Sequence, residues 1–243
     1  MKKYIIHIKF IALFLLVAFL YGFATKRNFN KNIDKIDIMF NNGKNLFITY
    51  EAVNKLLIQN FDNDKNQRID SLHLNNLEKY VNSSIMIQNA EIYATIDNKL
   101  GAIITQRTPI LRVVNEYEYY YFDEFGKKMP LSNNYSARVP IVTGNINEKN
   151  NVDIISLANN IKKDNFLKKQ IIGIDQIEKG VINHFNLRTR VGDQVIIFGT
   201  VQNFNAKRNK LKAFYQKALA DSTLEEFDTI NLKFKNQVVC TKK

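Results

Sequence analysis

The sequence predicts an α+β protein held by a single N-terminal transmembrane helix, with a small βααββ unit followed by a mixed-sheet β domain carrying flanking helices. Three observations lead there. One uncharged apolar run fills residues 10–24, and the rest of the chain reads as soluble material. Beyond residue 32 the hydrophobic spacing switches between the 3.6-residue period of helices and the two-residue period of strands. The stretches between are Asn-, Asp- and Gly-containing turn sequences such as residues 97–99 and 192–194.

Residues 5–24 form the expected span. About 20 residues at 1.5 Å rise cross the roughly 30 Å hydrocarbon layer, and Phe10, Leu13, Phe14, Leu16, Phe19 and Leu20 supply the apolar bulk. Lys2, Lys3 and Lys9 favour a cytoplasmic location for the short tail, residues 1–4, while Lys26, Arg27 and Lys31 on the far side oppose it. Gly22 and Ala24 would also suit a signal peptidase. The run exceeds the about 7–15 apolar residues of a signal core, however, which favours a retained anchor. Both readings export the remainder of the chain.

Residues 25–32 read as a polar linker. Residues 35–40 alternate, placing Ile36, Ile38 and Phe40 on one face of a strand that stops at Asn41, Asn42 and Gly43. Thr49 is placed to cap a helix whose Val53, Leu56, Leu57 and Phe61 form one stripe. After a polar break at residues 62–67, Asp70 or Ser71 caps a second helix with Leu74, Leu77 and Val81 on one face. The period then changes. Ala90, Ile92, Ala94 and Ile96 point one way and Glu91, Tyr93 and Thr95 the other, residues 97–99 turn, and Leu100, Ala102 and Ile104 continue in a return strand ended by Arg107, Thr108 and Pro109. This unit spans residues 33–109.

From residue 110 to 243 the pattern is β-rich. Residues 110–114 and 117–123 read as strands, followed by a turn at Asp123, Glu124, Phe125 and Gly126. Tyr117, Tyr119, Tyr120 and Tyr121 are read as covering a sheet face rather than as a stacking platform. Residues 138–144 form an extended stretch closed by Gly144, and Ile154, Leu157, Ala158 and Ile161 a helical stripe. A strand over residues 171–177 precedes a hairpin that joins 185–191 to 195–198. The last helix covers about residues 206–219, with Leu211, Phe214, Tyr215 and Ala218 inward and the lysines outward. Ile230, Leu232 and Phe234 then alternate on a strand, residues 235–237 turn, and Val238 and Val239 return.

Composition narrows the function. A net charge of +12 comes from lysines scattered along the chain, which suits a solvated surface rather than a nucleic-acid site. A lipid-surface module would account for the charge but not for the ordered β segments. Cys240 is the single cysteine, so no intrachain disulfide can form. His7, His73 and His184 are far apart, and neither a metal-ligand spacing nor a G-x-S-x-G elbow occurs. Asp123 and Glu124 are adjacent on a turn and poorly placed to flank a scissile bond. No catalytic, cofactor or metal site is expected, and the protein reads as a binding protein rather than an enzyme.

The order strand, helix, helix, strand, strand behind one anchor resembles the polypeptide-transport-associated (POTRA) domain. Four further segments resemble the FtsQ/DivIB cell-division family. Residues 103–109 look like its strand ending in Glu-Arg-x-Pro, with Gln106 at the acid. Residues 121–126 look like its Asp-x-x-Gly hairpin, and residues 139–144 like its Leu-Pro-x-x-x-Gly segment. Residues 229–234 look like its closing Asp-Leu-Arg-Tyr strand, with Lys233 for arginine and Phe234 for tyrosine.

The resemblance implies a single-pass inner-membrane divisome scaffold at the septum, with its bulk exported. It would bind an FtsB/FtsL-type complex through Leu232, Lys233, Phe234, Lys235 and Asn236, while the POTRA unit would either contact a further division protein or space the β domain from the bilayer. Edge-strand addition would supply affinity there, although edge lysines also serve simply to block aggregation. Lys in place of Arg loses a bidentate fork toward a carboxylate partner. The rival reading is a POTRA-bearing protein that assists outer-membrane or secreted chains. Such proteins usually continue into a β-barrel of repeated strands, whereas helices interrupt this second half.

Overall fold

Each of two compact units, residues Met1–Gln106 and Arg107–Lys243, is held by its own buried apolar cluster. The computed structural model describes residues 2–29, 33, 35–41, 45–59, 73–95, 97–116, 118–146, 151–179 and 182–243.

Helix α1 runs over Lys2–Phe29, past both ends of the expected span. It thereby takes in residues 25–29 of the expected linker; residues 30–32 lie outside the described ones. The extension has a local reason. Residues 24–27 contain good helix formers, and the Thr25 hydroxyl donates back to Tyr21 O at 2.8 Å, continuing the helical turn. Over Lys9–Lys26 the helix is long and apolar enough to cross a membrane. All six expected anchor side chains are more than half exposed, from Leu20 at 53% to Phe14 at 75%. Such all-round apolar exposure suits a membrane anchor.

The first unit continues with β1 (Lys35–Phe40), α2 (Tyr50–Gln59), α3 (Leu74–Asn82), β2 (Ile87–Ala94) and β3 (Lys99–Gln106). The three strands form one sheet in the order β1-β3-β2, with β1 parallel and β2 antiparallel to β3. The expected βααββ order is present. Its core joins Ile38, Val53, Leu57, Leu77, Val81, Ala90, Ile92, Leu100 and Ile104, the same stripes the periodicity predicts. Thr49 caps α2 through its Oγ1, which accepts from Ala52 N at 3.2 Å.

Helix α3 starts later than expected, with His73 in the cap position and no side-chain cap bond. The proposed caps Asp70 and Ser71, together with the polar break at 62–67, Phe61 and Ile96, lie outside the described residues. Gln106 proves an effective stand-in for an acid. Its Oε1 accepts from Phe47 N at 3.0 Å, which a carboxylate oxygen would also do.

The outer side of β2 is not free. Asn82 on α3 donates to Ala90 O at 3.1 Å and accepts from Ala90 N at 2.8 Å, and Glu78 accepts from Ile92 N at 3.1 Å. Helix side chains thus occupy three of the central backbone groups an added strand would use.

The second unit has β4 (Pro109–Val114), β5 (Tyr119–Asp123), β6 (Lys128–Pro130), β7 (Ile141–Thr143), α4 (Val152–Lys163), α5 (Asn165–Gln170), β8 (Ile171–Lys179), β9 (Ile182–Thr189), β10 (Val195–Gly199), α6 (Phe204–Ala220), a 3-10 turn (Leu224–Glu226), β11 (Phe227–Asn231) and β12 (Val239–Lys242). Nine strands make one mixed sheet in the order β12-β11-β10-β9-β8-β7-β4-β5-β6. Pairs β4/β7, β7/β8 and β10/β11 are parallel. The β7/β8 and β10/β11 crossovers are α4 with α5, and α6, whose inner faces share one apolar cluster with the sheet.

The Asp-x-x-Gly hairpin has a specific cause. Asp123 is buried, and its Oδ2 meets Arg107 Nη1 at 2.6 Å. Its Oδ1 accepts from Phe125 N and Lys127 N at 3.0 and 2.8 Å. Gly126 takes the positive φ of 76° that closes the turn. Tyr120 and Tyr121 are both buried, on opposite faces of β5, their hydroxyls engaged with Ile146 O and Ala137 N. They pack as expected, although on two faces rather than one; Tyr119 is exposed and Tyr117 lies outside the described residues.

At the α4–α5 junction Asp164 caps α5, accepting from Phe166 N and Leu167 N at 3.0 Å each, and reaches α6 through Lys212 at 2.7 Å. Burial works against its charge, but the Lys212 ammonium and these backbone donors prevail and hold its carboxyl below the usual range.

Two outcomes follow for stability. Asp123→Ala strands the Arg107 charge and opens the hairpin, at a cost of about 3–5 kcal/mol, readable as a lowered urea midpoint for the second unit. Asp164→Asn keeps a competent cap but removes the charge, costing about 1 kcal/mol at neutral pH because Lys212 is partly exposed. A depressed carboxyl stabilises above the unfolded pKa of about 3.9, and that contribution is lost as pH falls through the folded value. The gap between wild type and Asp164→Asn in urea midpoint therefore closes below about pH 4.

Candidate partner-binding edge

The expected binding residues fall where β11 leaves the sheet. The strand was expected to run on through Phe234, but it ends at Asn231. Leu232 N makes a last ladder-like bond to Ile197 O at 3.0 Å. The Asn231 side chain then takes over, its Oδ1 accepting from Lys233 N at 3.1 Å, which curls the backbone away. Asn236 closes the turn with φ 59°, a conformation asparagine tolerates.

The consequence for the site is a division of labour. Leu232 is fully buried in the core of the second unit, where it pins the loop to the fold. Lys233, Phe234, Lys235 and Asn236 are exposed together on the loop between β11 and β12. Phe234 carries 45% of its surface in the open, and an aromatic ring on an anchored backbone has the character of a binding hot spot.

The anchoring comes from Lys210 on α6, a residue whose sequence pattern suggested only an outward lysine. Its Nζ donates to Leu232 O at 2.9 Å and Phe234 O at 2.5 Å, with Gln237 O at 3.4 Å. An ammonium has three donors and no acceptor, so it can collect the carbonyls a non-strand loop leaves unpaired. Lys207, one turn earlier, is also inward, contrary to expectation. It donates to Thr200 O at 2.6 Å and lies 4.8 Å from the Phe198 ring centroid. Burial, then the charge of Lys210, pushes its pKa down. A sequence signal did exist, since Lys207, Leu211, Tyr215 and Ala218 fall on one helical stripe.

Gly199 completes the seat. It adopts φ 74°, and a Cβ there would approach Lys233 Cγ to 3.0 Å, so the absence of a side chain lets the Lys233 stem lie across the end of β10. Beside the loop, β12 is the edge of the sheet. Val239 is exposed, Cys240 is half-buried against the core with its thiol pKa raised by burial, and Thr241 faces Thr229 across the pair at 2.5 Å between oxygens. On its outer side no hydrogen bond to β12 backbone occurs among the described residues. The opposite edge, β6, has three residues and ends in Pro130, which lacks an N–H.

The histidines do not assemble. His73 caps α3, His184 stands on β9 opposite Ile177, and His7 is on α1. Among the described residues no three of His, Cys, Asp and Glu are grouped to hold a metal.

No curated protein matches the chain in sequence. A family model described as FtsQ/DivIB, C-terminal related, does match, over residues 108–241. The match covers more than half of the chain and nearly the whole second unit, including the Asp123 hairpin, the Gly144 stretch and the β11–β12 edge. The family consists of division scaffolds rather than enzymes, and one apolar N-terminal helix fits a membrane-anchored member. The protein belongs to the FtsQ/DivIB family of cell-division proteins.

Proposed function

We propose that the protein is a single-pass scaffold of the cytoplasmic (inner) membrane, with a cytoplasmic N-terminus and both units exported, that holds an FtsB/FtsL-type complex at the division septum. The observation that carries this reading is the free β12 edge beside a rigidly held Phe234 loop. An extended partner segment adds to β12 as a tenth strand, its backbone supplying affinity. Lys233, Phe234 and Lys235 select its side chains, the lysines favouring carboxylates.

The first unit acts as a POTRA domain that contacts a further division protein or spaces the second unit from the bilayer. Its β2 edge is already taken by Asn82 and Glu78, which argues against the envelope-assembly reading based on strand addition there.

Depleting the protein from growing cells is expected to yield long undivided cells; normal division with defective envelope assembly would reject the septal role. Phe234→Asp is expected to leave the unfolding free energy from urea titration within about 0.5 kcal/mol of wild type while abolishing co-purification of the FtsB/FtsL-type complex. Unaltered co-purification would reject this surface. Lys210→Met releases three carbonyls without touching the surface directly, and weakens binding by about 1–3 kcal/mol in a titration against the same complex. Full affinity in that variant would show that the loop needs no such anchor.

A further inference from the structure

A cavity of about 570 Å³ lies at the other end of the second unit's parallel strands, within the size range of small-molecule sites. It opens where β4, β7 and β8 begin, between them and the C-terminal ends of α4 and α5. Buried Ile110, Ile161 and Ile171 make its floor. Ile141 and Ile172 line it too, yet they stay about two-fifths exposed, at 41% and 39%, so apolar surface remains open to an occupant.

All the charged residues lining this cavity are basic: Arg138, Lys162, Lys168 and Arg190. Lys162 is partly neutralised by Glu124 at 3.3 Å. The other three have no carboxylate partner among the described residues. Arg190 is also positioned, because its Nε donates to Lys169 O at 2.9 Å and leaves the terminal nitrogens of the guanidinium to point elsewhere.

We infer that this pocket binds an anionic amphiphile, a single alkyl chain bearing a carboxylate or phosphate head. The apolar floor takes the chain, and the arginines take the head by paired hydrogen bonds. The backbone around the pocket disfavours a peptide. Pro109 and Pro140 offer no N–H, Arg112 N is spent on Pro140 O at 3.0 Å, and Ile141 O accepts from Arg188 Nη2 at 3.5 Å. An extended peptide would leave its own backbone unpaired there, whereas an alkyl chain has none to pair. This site is separate from the β12 edge and does not depend on the partner assigned to it.

The test uses the full chain in nanodiscs of zwitterionic lipid, photolabelled with diazirine-bearing dodecanoic acid and mapped by mass spectrometry. Labelling is expected on peptides carrying Ile141 and Ile172. Unlabelled dodecanoate or dodecyl phosphate should compete and dodecanol should not, the better competitor identifying the head group. Each methylene added to the competitor improves it by up to about fourfold while the chain still fits. Arg138→Ala combined with Arg190→Ala is expected to cut labelling about tenfold or more. Ile172→Trp, which fills the mouth but keeps every charge, is expected to do the same. Labels confined to α1, equal competition by dodecanol, or displacement by an acidic peptide but not by dodecanoate would each overturn the inference.

Discussion

Backbone donors and acceptors along the rim of an open sheet must be paired, shortened away or left to water, and this chain treats its rims unequally. In the first unit, Asn82 and Glu78 from α3 occupy the outer groups of β2. In the second, β6 is cut to three residues and closed by Pro130. Strand β12 receives no such cover among the described residues. Under the proposed reading that open edge is the one a partner strand uses, and the family to which the chain belongs is one of cell-division proteins.

What separates such an edge from an aggregation hazard is the structure built beside it. Leu232 is sunk in the core and Lys210 gathers the carbonyls that follow, so Phe234 is displayed from a backbone already ordered before a partner arrives. Ordering in advance removes part of the entropy cost of association. Lys233 and Lys235 flank the ring, and lysines beside an open edge disfavour pairing with further copies of a basic protein; in the proposed complex they would favour an acidic partner.

Much of this was legible in the sequence, because period and turn chemistry are local. The strand at residues 35–40, the stripes of Val53 and Leu57 and of Leu77 and Val81, the hairpin across residues 192–194, and the Asp123 turn all appear as read. Other features depend on distant partners. Strand β6 is too short to carry a period, and α5 is six residues whose start is set by the Asp164 cap rather than by a stripe. The end of β11 is decided by Asn231 and by a lysine on another helix, so alternation of Ile230, Leu232 and Phe234 extended the strand too far. The inward turn of Lys207 and Lys210 runs against the outward tendency of lysine, because their ammonium groups find backbone carbonyls of distant segments that local spacing cannot reveal.

The most direct measurement is hydrogen–deuterium exchange of the full-length protein in nanodiscs, with and without its FtsB/FtsL-type complex. Exchange in β12 should slow markedly on complex formation, together with the 232–237 loop, while β2 stays as it is in the free protein. Protection confined to the first unit, with β12 exchanging at its free rate, would contradict the claim that this edge is where the protein does its work.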